Sequence, residues 1–180
     1  MGVRKYKNVR RVYFDMDGVI ADFEKACIDG GHEFKDFKML KGSYLNLPVY
    51  EGATEAVNMA IDLGYEIFAL TKIPAHNPYS ATEKLIWIAN NMPQFKDHVI
   101  LSPDKGVIGK AEDILIDDHP EWANADQFPG RIVKFTGDWT AVKKVLLELA
   151  PDEAKKAVLK EMLTDLGVLE NDGTLKKNYQ

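Results

Sequence analysis

The sequence predicts an α/β fold: a doubly wound parallel sheet with a small helical cap inserted after the first strand. Three observations carry the prediction. Short apolar runs alternate with amphipathic segments along the 180 residues, the pattern of repeated βα units. The runs end in residues of useful chemistry: Asp15 with Asp17, then Thr71, then Lys105 in a following loop, then Asp117 with Asp118. Residues 32–48 fit neither a strand nor a long helix, and they lie between the first strand and the next βα unit, where a lid over the sheet's active edge belongs. The length suits one domain with a substantial core. The expected division is a core of residues 1–19 and 50–150, a cap of 20–49, and a terminal helix and tail of 151–180.

Taken in order, Val12, Tyr13 and Phe14 form the first strand, and Gly18 turns the chain just past the two acids. Residues 21–29 have helical character and stop at Gly30–Gly31. Phe34, Phe37 and Tyr44 are scattered through the cap, where they read as its own small core. Residues 54–63 form a helix closed by Gly64, and residues 65–70 form the second strand with Thr71 just beyond. The loop 72–78 holds two prolines and reads as irregular and exposed. Ser80 is placed to cap a helix reaching Asn91, with Glu83 completing a capping box. Residues 98–101, 114–116 and 131–135 supply three more strands. Asp138 caps a helix over 139–150, and Pro151 interrupts it. Residues 152–166 form a last helix, whose stripe of Ala154, Val158, Leu159, Met162, Leu163 and Leu166 is expected to pack on the body or to meet a second subunit in a homodimer. Asn171–Asp172–Gly173 marks a turn.

Composition narrows the setting. Net charge is −5, which argues against nucleic acid polymers as partners but not against nucleotides. Arg4, Lys5, Lys7, Arg10 and Arg11 read as a solvated flank. Cys27 is the only cysteine, so no intrachain disulfide is possible, and the residue reads as a small buried hydrophobe. No apolar run has bilayer-spanning length, no signal-peptide apolar region opens the chain, and Tyr6 spoils the myristoylation pattern begun by Met1–Gly2. A cytoplasmic protein with no membrane partner is expected.

Two acids separated by one residue at a strand's carboxyl end are costly without a positive partner, and Mg²⁺ with oxygen ligands is the usual one. Phosphoryl transfer needs a nucleophile, a metal held by carboxylates and cations on the phosphoryl oxygens. All are present.

At Phe14–Asp15–Met16–Asp17–Gly18–Val19–Ile20–Ala21–Asp22–Phe23, Ala69–Leu70–Thr71 and Leu115–Ile116–Asp117–Asp118, the chain resembles the haloacid dehalogenase-like phosphohydrolases. It is most similar to their 5′(3′)-deoxyribonucleotidase branch. Pro78–Tyr79–Ser80 with Glu83–Lys84 and Trp87, and Trp139 at the head of the last core helix, add to the likeness. The resemblance implies that Asp15 is the nucleophile and binds Mg²⁺ with its other oxygen. Asp17 would be the acid and then the base, its backbone carbonyl also on the metal. Thr71 and Lys105 would hold the phosphoryl oxygens, Asp117 and Asp118 would complete the metal site, and Phe23 would pack on a substrate that is a nucleoside monophosphate.

There are departures. Lys72 stands where the branch has a small residue and is counted with the substrate-binding groups. His119 replaces an arginine. Lys110 competes for the lysine role, although Asp104–Lys105 matches the motif's own neighbours. A phosphatase of another small phosphate ester, or a non-catalytic phosphate-binding protein on the same fold, remains the alternative.

Overall fold

The computed structural model describes residues 10–176; Arg4, Lys5 and Lys7 of the basic lead-in lie outside them. Five strands, β1 (Arg11–Phe14), β2 (Glu66–Thr71), β3 (Val99–Leu101), β4 (Ile114–Asp117) and β5 (Arg131–Lys134), form one parallel sheet in the order β3-β2-β1-β4-β5. The helices are α1 (Phe23–Asp29), α2 (Phe34–Phe37), α3 (Ala53–Asp62), α4 (Ser80–Asn91), α5 (Trp139–Leu149) and α6 (Asp152–Asp165). None of the described helices is long and apolar enough to cross a membrane.

Strand alternation sorts the core into two layers. Val12, Phe14, Ile67, Ala69, Ile114 and Ile116 point into the larger cluster, with Ala56, Val57 and Ala60 of α3, Trp87 and Ile88 of α4, and Val142 and Leu146 of α5. Tyr13, Leu70 and Leu115 point the other way, onto Ala125 and Phe128. The first two crossovers, built from helices, therefore lie on one face of the sheet, and the next two, the loops after β3 and β4, lie on the other. Strand order reverses beside β1, so the carboxyl ends of β1 and β4 sit at the switch point where open α/β sheets bind ligands.

The cap leaves and rejoins the core at one place. Asp22 N–H donates to Pro48 O at 2.8 Å and Tyr50 N–H to Ile20 O at 2.9 Å, with Ala21 bridged to Val49. Asp22 caps α1 by accepting from Lys25 N–H, so that helix begins two residues later than its apolar pattern suggests.

Three other expectations need correction. Ser80 is the first residue of α4 rather than its cap, because its hydroxyl donates to Asn77 O at 2.7 Å. No capping box forms: the Glu83 carboxylate accepts instead from Gly42 and Tyr44 N–H of the cap, at 2.6 and 3.3 Å. The 72–78 loop is irregular but not simply exposed, since buried Asn77 donates to Lys38 O and Leu40 O. On α6 only Val158 is buried, while Leu159, Met162, Leu163 and Leu166 remain exposed. The Asp138 cap on α5 and the turn at Gly173 form as expected.

Candidate active site

Each strand end delivers one part of the site. Asp15 extends β1 by one rung, its N–H donating to Ile116 O at 2.9 Å. Met16 O then accepts from the N–H groups of Val19, Ile20 and Ala21, which coils the chain back under the acids. Gly18 makes that coil possible. Its φ is +77°, and a Cβ there would lie 2.2 Å from Asp118 Oδ2. A glycine is required both by the left-handed backbone and by the close approach of the second acid pair.

Asp15, Asp117 and Asp118 each offer one carboxylate oxygen, all within 4.8 Å of one another. Burial and the neighbouring Asp15 push the Asp118 carboxyl up to about 7, and burial and Asp15 likewise raise Asp117, against the pull of Lys105. Three converging oxygens with so much unrelieved repulsion fit a divalent cation. Lys105 supplies part of the missing charge. Its Nζ lies 2.7 Å from Asp15 Oδ2 and 2.6 Å from Asp117 Oδ2. Burial disfavours its charge, but the two acids outweigh this and raise its pKa. Lys110, the competing lysine, is exposed and lies outside this cluster.

Asp17 faces a different partner. Its Oδ2 accepts from Lys84 Nζ at 2.6 Å, and Lys84 also donates to Thr71 Oγ1 at 2.8 Å and Lys72 O at 2.9 Å. Asp17 Oδ1 is buried with no protein partner. Burial raises the Asp17 carboxyl above its ordinary range, although Lys84 opposes the shift. The arrangement suits a carboxyl that carries a proton and gives it up.

The sequence alone gives Lys84 no role at the site, although the resemblance includes it. A helical lysine ordinarily reads as solvated. The signal is its place on α4: Ser80, Lys84, Trp87 and Ile88 share one buried face, and a cation on such a face needs an anion.

Thr71 is the last residue of β2, buried beside Lys84. Lys72 and Phe23 line a cavity of about 1090 Å³ with Asp15, Asp17, Lys105 and Asp118. Phe23 is also the hub of the cap's aromatic core. Its ring stacks on Phe34 and Tyr44, with centroids 6.2 and 5.7 Å away, and meets Phe37 edge-on at 5.3 Å. Phe34 and Tyr44 reach the cavity as well, so these rings are both cap core and cavity wall.

In fold and in the convergence of its motif residues the chain is similar to the haloacid dehalogenase-like hydrolases. A solved structure of such a hydrolase from Ehrlichia chaffeensis has the same fold at a TM-score of 0.53, with 11% identity over 77% of this chain and 96% of that one. In sequence the chain is similar to the 5′(3′)-deoxyribonucleotidases. It is 28% identical to the mitochondrial enzyme of Mus musculus over 66% of this chain and 69% of that protein. It is 27% identical to the cytosolic type of Homo sapiens over 66% and 75%. No family profile matches the chain. These similarities support an enzyme of the phosphatase class acting on a small phosphorylated substrate.

Proposed function

We propose that the protein is a Mg²⁺-dependent phosphomonoesterase that works through an aspartyl phosphate on nucleoside monophosphates. The observation that carries this reading is the split environment of the first two acids. Asp15 is paired with Lys105 among the candidate cation ligands, whereas Asp17 is paired with Lys84 and has its carboxyl raised by burial. Adjacent acids in opposed environments are the mark of a nucleophile and an acid–base partner.

In the proposed sequence an Asp15 oxygen attacks phosphorus while the phosphorus–ester oxygen bond breaks. Asp17 gives its proton to the departing alkoxide. The same carboxylate then takes a proton from water, whose oxygen attacks the acyl phosphate, releasing phosphate and restoring Asp15. Lys105 and the Thr71 hydroxyl neutralise and orient the phosphoryl oxygens. Mg²⁺ held by Asp15, Asp117, Asp118 and the Asp17 carbonyl would supply positive charge to the transferred group. Phe23 and Lys72 are the proposed contacts to the rest of the substrate, and the relatives' names support a nucleotide there. A cytoplasmic location belongs to the same reading.

The test is hydrolysis of nucleoside monophosphates with Mg²⁺ and with chelator, alongside Asp15→Asn. Turnover that needs the cation and vanishes in the variant is expected. Substantial hydrolysis by Asp15→Asn would sink the covalent mechanism, and phosphate release from every ester except nucleotides would leave a phosphatase of another substrate.

A further inference from the structure

The cavity has a second aromatic wall, opposite in origin to the cap. Trp122 stands in the loop after β4, three residues past His119, and is 63% exposed. Its indole stacks on the His119 ring with centroids 3.9 Å apart and planes 12° from parallel. One indole face is thus covered and the other is open, and both residues line the cavity that holds Asp15 and Asp118.

The platform is held firmly. The His119 N–H donates to Asp117 Oδ1 at 2.8 Å, and its ring Nδ1 lies 2.7 Å from Glu121 Oε1. Trp122 N–H donates to His119 O, and Trp122 O accepts from Ala125 N–H. The next two residues, Ala123 and Asn124, both have left-handed backbones, with φ of 52° and 56°. Such conformations persist in non-glycine residues only where surroundings fix them, and they gather at ligand sites. The surroundings here include the phosphate lysine: Lys105 N–H donates to Ala123 O at 2.7 Å, and Asn124 Nδ2 donates to Asp104 Oδ1 at 3.1 Å. The segment that presents Trp122 is therefore bonded to the segment that presents Lys105.

An exposed, immobilised indole beside a phosphoryl site is a pre-formed surface for a flat ring. We propose that Trp122, backed by His119, stacks the planar heteroaromatic ring of the ester's alcohol group, and so favours ring-bearing monophosphates from the core side of the cavity. The assignment rests on the phosphatase reading for its substrate.

The variants Trp122→Ala and Trp122→Phe test it, with kcat and KM measured on a nucleoside monophosphate and on glycerol phosphate. The ratio of the two efficiencies falls about tenfold in Trp122→Ala, the scale of one lost stacking contact, through KM rather than kcat. Trp122→Phe restores most of it. An unchanged ratio, or a phenylalanine variant as impaired as the alanine one, overturns the proposal. A separate readout does not need turnover. Trp87 and Trp139 are buried, so quenching of tryptophan emission by a nucleoside monophosphate added to Asp15→Asn protein should vanish with Trp122→Ala. Quenching without hydrolysis in the unmodified protein leaves the platform standing while the phosphatase reading falls. No quenching overturns the platform even if phosphatase activity is found.

Discussion

Lys105 reaches Asp15 from a loop after β3, whereas Lys84 reaches Asp17 from inside a helix. Both ammonium groups are buried, and each contacts one member of the Asp15–Asp17 pair. Their other partners differ. Lys105 shares its charge with Asp117, so both of its acid partners belong to the three-carboxylate cluster. Lys84 turns to a hydroxyl and a backbone carbonyl, so its charge is spent mainly on Asp17. Two lysines thus give two acids two residues apart different surroundings.

The contrast can be broken in stages. The largest effect belongs to Lys105→Ala, which on the proposed mechanism removes a cation from the place where charge develops. A loss of about 10²–10³ in kcat is expected, equal for alkyl and aryl phosphates, and steady-state kinetics on both esters would check it. Lys84→Met comes next. As a positioning residue for the acid, Lys84 should cost about 10²-fold on alkyl esters, the low end of what a positioned acid contributes, and less on aryl esters whose leaving group needs little protonation. Removing its positive charge also raises the Asp17 carboxyl further. The acid then stays protonated to higher pH, so the alkaline limb of the pH–rate profile should move upward, and a downward move would refute the pairing.

Glu83→Ala tests the neighbour of Lys84. It strips two cap N–H groups of their acceptor and should destabilise the fold by about 1–3 kcal/mol, read by urea unfolding, with KM affected more than kcat. The smallest effect belongs to Lys110→Ala. An exposed lysine away from the cluster should change stability by less than about 0.5 kcal/mol and leave turnover intact. A steep loss there would reverse the assignment of the two loop lysines.

These differences also explain which parts could be read from the chain. Asp15, Asp17, Thr71, Asp117 and Asp118 announce themselves because an apolar strand stops at a polar residue, and parallel strands deliver all such ends to one edge. Lys105 is legible as the cation of the intervening loop. Lys84 is harder, since its partners lie 12, 13 and 67 residues away and only its helical face betrays it. Glu83 departs from its local pattern for a related reason. Local spacing made it a capping residue, and a cap backbone 39 and 41 residues upstream in the chain claimed its carboxylate. The short α2 has a single turn and so no periodicity to detect. The stripe on α6 was legible as a helix but not as a mostly uncovered one, because hydrophobicity does not say what lies opposite.

The paired crossing of Ile20–Asp22 with Pro48–Tyr50 has a consequence for how this architecture can vary. Because the inserted segment begins and ends on adjacent rungs, the core sees only its two closely spaced ends. The entropy of closing such a loop grows slowly with length, about 0.6 kcal/mol per doubling. Residues between the rungs can therefore be lengthened, shortened or replaced as a cassette while the acids, the lysine loop and the Trp122 platform stay in register. The acceptors on Glu83, the donors on Asn77 and the Trp87 indole N–H, which now reaches Leu47 O at 2.7 Å, must be matched by a new insert. The cavity wall that the insert supplies can in this sense be rewritten without moving the wall and the acids that the sheet supplies.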